Sequence, residues 1–276
     1  MKFLAVVLLS AMIPLAHADP APLAIGDTTI QFPVDAGYVR ASTADPKFFA
    51  FVQAALPPTN RLVEVFITPA DLDHLHTTGV ADGPYYEVQV MRELETRQIG
   101  TDEWNENKPQ LTAGMTKLDI NALAAKDTDS SARMSAAAGQ PVSVSFGKIG
   151  APAIFRETPM SVEYGVLVPA QMNSGGQTVS TTIAVAGAIA VVHNRLIFIY
   201  AYSTATSDAG IADLRKRLDA LVDQTMSLNP NDPSVSTSPG LFNGVGRSAV
   251  IGAAVGLLIG FFAWLIGRMR KSSKAT

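Results

Sequence analysis

The nineteen residues Ser248 to Ile266, SAVIGAAVGLLIGFFAWLI, carry no charge, and this run constrains the chain more than any other feature. At about 1.5 Å per residue it matches the roughly 30 Å hydrocarbon core of a bilayer. A helix buried in a soluble domain keeps a polar stripe, whereas this one is apolar all round. Trp264 lies near one end, where an indole suits the headgroup level, and Arg268, Arg270, Lys271 and Lys274 follow at once. The pattern predicts a transmembrane helix over 247–267 and a basic cytoplasmic tail over 268–276, with the rest of the chain on the far side of the membrane.

The other end agrees with that orientation. Lys2, the apolar stretch Phe3 to Ile13, Pro14 and the closing Ala16-His17-Ala18 have the three-part layout of a secretory signal peptide over 1–18. The stretch is too short to span a bilayer itself. The chain has no cysteine and no Asn-x-Ser/Thr acceptor, so neither a disulfide framework nor N-glycosylation enters the reading. The expectation is a single-pass protein of a bacterial inner membrane, its domain in the periplasm and its C-terminus in the cytoplasm.

Between residues 19 and 246 the charge balance is strongly acidic. All 24 Asp and Glu residues fall there but only 15 of the 21 Lys and Arg, a net charge of −9. Such a surface is repelled by nucleic acid and by anionic lipid, so a nucleic-acid partner is not expected. Residues 19–228 are enough for one domain with a substantial core. Residues 229–246, with Pro230, Pro233 and Pro239 among Ser and Gly, read as a flexible linker with a reach of roughly 25 Å.

Within the domain, strand signals dominate. Tyr86, Val88 and Val90 alternate with Glu87, Gln89 and Met91, and Val142, Val144 and Phe146 alternate with small or polar residues, the period of half-buried strands. Leu62 to Ile67, Ser161 to Val168, Thr28 to Phe32 and Ala153 to Arg156 extend the list. A long run from Val179 to Val192 meets Leu196 to Tyr202 across His193-Asn194-Arg195, which predicts a hairpin whose second strand is central because both its faces are apolar. Ala184, Ala186, Ala188 and Ala190 share one face of the first strand, and small side chains there let a helix approach closely.

Helical spacing appears at Ile211, Leu214, Leu218, Leu221, Val222 and Thr225, with Ser207 as N-cap. A second helix is expected within 102–126, capped by Thr101, followed by a loop or frayed end over 127–139. Hairpin-linked strands with a terminal amphipathic helix predict an α+β fold, a largely antiparallel sheet with packed helices. The order of elements, from Thr29-Ile30-Gln31-Phe32-Pro33 and Gly37-Tyr38 to the last hairpin and its following helix, resembles the PsbP/Mog1-like domains of bacterial envelope and photosynthetic proteins. The resemblance covers about half the chain and implies a binding or assembly module. No functional residue carries over from it.

Motifs with chemistry are few. Asp71, Asp73, His74 and His76 are the one cluster with metal-ligand chemistry, but Thr68 as N-cap, Pro69 at the first helical position and two acids near a helix start account for it locally, so no metal is expected. The residues His74, His76 and His193 are the imidazoles beyond the expected signal peptide, and no Gly-x-Ser-x-Gly elbow or phosphate-cradling loop occurs, so no cofactor is expected and an enzyme is disfavoured. In the membrane run, Gly252, Gly256 and Gly260 recur every four residues and predict a face for helix self-association. The expected function is a membrane-anchored periplasmic module that binds an envelope protein or small ligand and dimerises through that face. The alternative is a metal-dependent or cryptic hydrolase of the envelope, with the Asp71–His76 cluster as its candidates.

Overall fold

The structure, a computed structural model, describes residues 19–78, 81, 83–124, 129–174 and 177–235. The expected signal peptide, the transmembrane helix with its three glycines, the basic tail and the linker beyond residue 235 lie outside the described residues. Among the described residues no helix is long and apolar enough to cross a membrane.

Ten strands and seven α-helices make up the described chain. The hairpin β1 (Ala21–Ile25) and β2 (Thr28–Phe32) is followed by β3 (Val39–Arg40), α1 (Ala41–Ala44), α2 (Pro46–Ala55), β4 (Asn60–Ile67), α3 (Pro69–Thr78) and β5 (Tyr85–Met91). Then come α4 (Thr101–Thr116), α5 (Ile120–Ala124), α6 (Ser130–Ala138), β6 (Val142–Phe146), β7 (Ala153–Thr158), β8 (Ser161–Ser174), β9 (Gln177–Val192), β10 (Arg195–Ser203) and α7 (Asp208–Leu228). The main sheet has the order β3-β4-β5-β10-β9-β8-β6, with β7 also paired to β8, and every pairing is antiparallel. The fold is therefore α+β, with antiparallel sheets and packed helices.

Two apolar layers sandwich the sheet. On one face α2 to α6 bury Phe48, Phe51, Leu75, Trp104, Leu111 and Met134 against the strands. On the other, α7 and the β1–β2 hairpin bury Leu214, Leu218, Val222, Leu23, Ile30 and Phe32. The alanine face of β9 is what α7 lies on: Ala184, Ala186, Ala188 and Ala190 are all buried in that second layer. Their side chains end at Cβ, so the helix axis can sit close to the sheet without a cavity. Ser207 caps α7 through its Oγ, which accepts a hydrogen bond from Gly210 N at 3.2 Å.

The last hairpin turns on His193 and Asn194 alone, both in the left-handed region at φ 48° and 59°, and Arg195 already pairs with Val192. That is the backbone of a two-residue primed turn. β10 is central, between β5 and β9, and all nine of its residues are buried.

Three expectations need correction. β5 is not half-buried: all seven residues, Glu87 and Gln89 included, are enclosed, because helices cover the sheet on the side they face. The 127–139 stretch contains a helix, α6, which buries Met134 and ends where Gly139 adopts φ 69°. That conformation is costly for a residue with a Cβ, so the glycine stops the helix. Thr101 is the first residue of α4, and Gly100 is its cap. The helix α2 went unforeseen, although Asp45, whose Oδ1 accepts from Lys47 N and Phe48 N at 3.1 Å, and Pro46 are an ordinary helix start.

Beyond α7 the chain stays attached. Asn229 places its side chain between Gln31 N and Gln31 O at 2.7 Å each, and its carbonyl accepts from His193 N at 3.2 Å. Asn231 and Asp232 bond to the β9–β10 turn through Asn194. The segment expected to open the linker thus begins as part of the domain's surface.

Candidate functional site

The sequence cluster at α3 is spent on local structure. Thr68 Oγ1 accepts from Asp71 N at 3.0 Å and donates to Asp71 Oδ2 at 2.6 Å, while Asp71 Oδ1 takes the N–H of Gly83 at 2.8 Å. His76 turns to α2, with Nε2 2.6 Å from Asp45 Oδ2. Asp73 is exposed and His74 half-buried. No group of three or more His, Asp or Glu side chains converges in metal-binding geometry among the described residues.

The sheet interior holds a polar patch that no motif announced. Glu87, Gln89 and Asn60 are fully buried beside the rings of Tyr85, Tyr200 and Tyr202 under the α2–α6 layer. Gln89 Nε2 donates to Glu87 Oε2 at 3.0 Å, Tyr202 Oη donates to the same oxygen at 3.4 Å, and Asn60 Nδ2 donates to Gln89 Oε1 at 3.4 Å. Glu87 Oε1 is buried without a hydrogen-bond partner. Burial pushes the Glu87 carboxyl up to about 8, opposed by the bonds from Gln89 and Tyr202. At neutral pH this group carries a proton, as a carboxyl in low dielectric does when no cation offsets its charge.

The opposite face carries a second line of charge, along the inner side of α7. Glu163 on β8 is fully buried, with Oε1 2.8 Å from Arg156 Nη1, and Arg156 Nη2 reaches Asp223 at 2.7 Å. Burial and then the carboxyl of Asp219 against it push Glu163 upward in pKa, with Arg156 pulling the other way. One oxygen of each acid, Glu163 Oε2 and Asp219 Oδ1, is buried without another partner, the arrangement of two carboxyls sharing one proton.

One turn before Asp219 the same helix face becomes cationic. Arg215 lays its guanidinium over the Phe155 ring, 5.0 Å from the centroid, and above Gly165, where a Cβ would stand 3.5 Å from both Nε and Nη2. Its Nε is buried and has no hydrogen-bond partner. Arg215 borders a cleft of about 420 Å³ between the start of α7, the β8–β9 hairpin and the loop before β7. Leu167, Ala184, Ala186, Ile211 and Leu214 supply apolar walls, and the exposed Lys148 stands at the rim. A shallower groove of about 550 Å³ runs beside β6, lined by Ser145, Gln171, Ser180 and Thr182. The cleft at Arg215 is the stronger site: it joins apolar wall to an unsatisfied cation and falls in the size range of ligand pockets, about 300–1,000 Å³.

Sequence reading passed over Arg215, naming only the apolar positions and the cap of this helix. Its spacing was the available signal, since Ile211, Leu214, Arg215 and Leu218 lie on one side of the helix. His193 is confirmed in a turn, with Nδ1 3.3 Å from Pro230 O. Glu103 is nearly buried and ion-paired with Arg97, whereas Glu95 pairs with Arg61 at 2.6 Å.

No family model and no curated protein matches the chain. Among solved structures, the crystal structure of the Saccharomyces cerevisiae Ran-binding protein Mog1p is similar at 11% identity and a TM-score of 0.32, over 72% of this chain and 88% of that one. The chain therefore resembles a Mog1-type protein in the layout of its elements, and at that score the likeness carries no argument about function.

Proposed function

We propose that the chain is a single-pass, membrane-anchored binding module of a bacterial envelope, with its α+β domain in the periplasm and its C-terminus in the cytoplasm. The uncharged run from Ser248 to Ile266, closed by Arg268, Arg270, Lys271 and Lys274, carries this reading. The cleft beside Arg215 supports the binding role, because a built concavity with an unsatisfied cation is what a small-ligand site requires. Helix α7 connects the two parts: its first turns wall the cleft, and its last leads through Asn229 toward the anchor.

The absence of native cysteine makes topology testable with single-cysteine reporters. Ser238→Cys is expected to react with a membrane-impermeant maleimide in cells whose outer membrane has been opened, and Ser273→Cys only after the inner membrane is broken. Labelling of both from outside, or recovery of the chain in the soluble fraction, would remove the anchored topology.

Self-association through Gly252, Gly256 and Gly260 belongs to the same proposal. Small residues four apart let two helices meet backbone to backbone. Gly256→Ile should lower association of the membrane segment several-fold in a membrane two-hybrid assay, roughly the effect of losing about 1 kcal/mol of packing. Equal signals from variant and parent would delete the dimer from the reading.

A further inference from the structure

We propose that the cleft between α7 and the β8–β9 hairpin binds a single-chain acidic amphiphile, with its carboxylate or phosphate on Arg215 and Lys148 and its apolar chain along Leu167, Ala184 and Ile211. The proposal deepens the binding-module reading and rests on it for the role of the domain, but not for the chemistry of the cleft.

The first observation is charge. In a stretch, residues 19–246, of net charge −9, most buried or half-buried cations are paired with a carboxylate: Arg40 with Glu64, Arg61 with Glu95, Arg97 with Glu103, Arg156 with Glu163 and Asp223, Arg195 with Asp27, while Lys108 and Arg133 donate to backbone carbonyls. Arg215 forms no ion pair among the described residues, and its buried Nε lacks even a hydrogen bond. The nearby acids are engaged elsewhere, Asp213 with Arg217 at 2.7 Å and Asp219 with Glu163. The guanidinium that borders the cleft therefore meets no carboxylate among the described residues, and an anionic ligand there would supply the charge-assisted partner it lacks. Lys148 likewise forms no ion pair among the described residues and borders the same space.

The second observation is the apolar wall. Leu167 is 41% exposed, one of two large hydrophobic side chains so exposed among the described residues, and it lines this cleft. The floor is kept low by Gly165, Ala184 and Ala186, beside Arg215. A floor of small residues beneath an exposed leucine admits a narrow chain, and a cation at one side of it selects a chain with one anionic end. A volume of about 420 Å³ suits one chain rather than a two-chain lipid.

The third is position. The cleft lies at the start of α7, about 25 Å along the helix from Leu228, beyond which the chain leads toward the anchor.

The test uses the intact chain in native membranes, photolabelled with diazirine-bearing dodecanoate, dodecyl phosphate and dodecanol. The acids should label peptides within 147–169 and 208–217, and the alcohol should label them far less. Arg215→Gln should reduce labelling by the acids about tenfold or more at sub-saturating probe, whereas Arg217→Gln, on the same helix but outside the cleft, should leave it unchanged. Arg215→Lys, which keeps the charge, should restore part of the labelling and guards against a folding artefact. A preference for dodecanoate or for dodecyl phosphate identifies the head group, and either sustains the proposal. Equal labelling by dodecanol, labels outside the cleft, or indifference to Arg215→Gln would overturn it. Because the readout is a labelled domain peptide, failure here is distinct from failure of the anchored topology, which the cysteine reporters measure.

Discussion

Glu87→Gln will leave the domain's stability at pH 5 within about 1 kcal/mol of the parent's and raise it by roughly 3–5 kcal/mol at pH 8.5. The side chain is fully buried in the central strand β5, and burial lifts its carboxyl to about 8 from an ordinary value of 4.5. Between those two values the folded state holds a proton that the unfolded state has lost, so stability falls as pH rises through this window. Below it the contribution is fully present, and above about 8 it is gone. Glutamine mimics the protonated acid: its oxygen can take the bonds from Gln89 and Tyr202, and its amide replaces the protonated Oε1, which has no partner in either case. Urea unfolding of both proteins at half-unit steps of pH reads the effect directly. Parallel profiles would mean that Glu87 keeps its charge in the folded domain. Glu163 is shifted in the same direction, so the parent's own slope will exceed that of one proton, while the difference between the two proteins isolates Glu87.

Strand β5 also shows where sequence reading succeeds and where it stops. Alternation of Tyr86, Val88 and Val90 with Glu87 and Gln89 located the strand and separated its faces. It could not tell a wet face from a buried polar one, because period two encodes a difference between faces and says nothing of what covers them. The final hairpin was readable, since both faces of Leu196 to Tyr202 are apolar and an Asn stands in the turn. The alanine face of β9 correctly announced a close helix, and α7 fills that role.

The cleft was illegible for another reason. Phe155, Gly165, Ala184 and Arg215 come from four elements, and only the pairing of β7, β8 and β9 under α7 brings them together. Sequence spacing reports neighbours on one element, not neighbours across a sheet. Even so, Arg215 beside Leu214 and Leu218 marked a cation on the buried side of an amphipathic helix. In the candidate metal cluster the opposite holds: close in sequence, Asp71 and His76 are drawn to different partners, Thr68 and Asp45.

Replacing Glu64 by Leu should cost about 3–5 kcal/mol, the loss expected when one member of a buried charged network is removed. Glu64 is as buried as Glu87, but it sits among donors: Oε2 accepts from Arg40 Nε at 2.7 Å and Ser42 Oγ at 2.6 Å, and Oε1 from Ser42 N at 3.0 Å and Val65 N at 3.1 Å. It lies at the register shift after Leu62, where Val63 is the extra residue of a bulge, and the bulge aims the side chain at the start of α1. The group therefore ties β4 to α1, and through Arg40, which also reaches Pro22 O at 3.4 Å, to the β1 hairpin. Leucine fills the volume but leaves the Ser42 and Val65 amides without an acceptor. Glu64→Gln keeps one oxygen and should cost less, about 1–2 kcal/mol. Losses below about 1 kcal/mol for both variants in urea unfolding would mean that water reaches these donors and that the network does not hold the hairpin. A large loss for Leu and a small one for Gln would instead place the energy in the backbone donors. The two buried glutamates then follow one rule: what a carboxyl does inside this sheet is set by the donors around it, not by its depth.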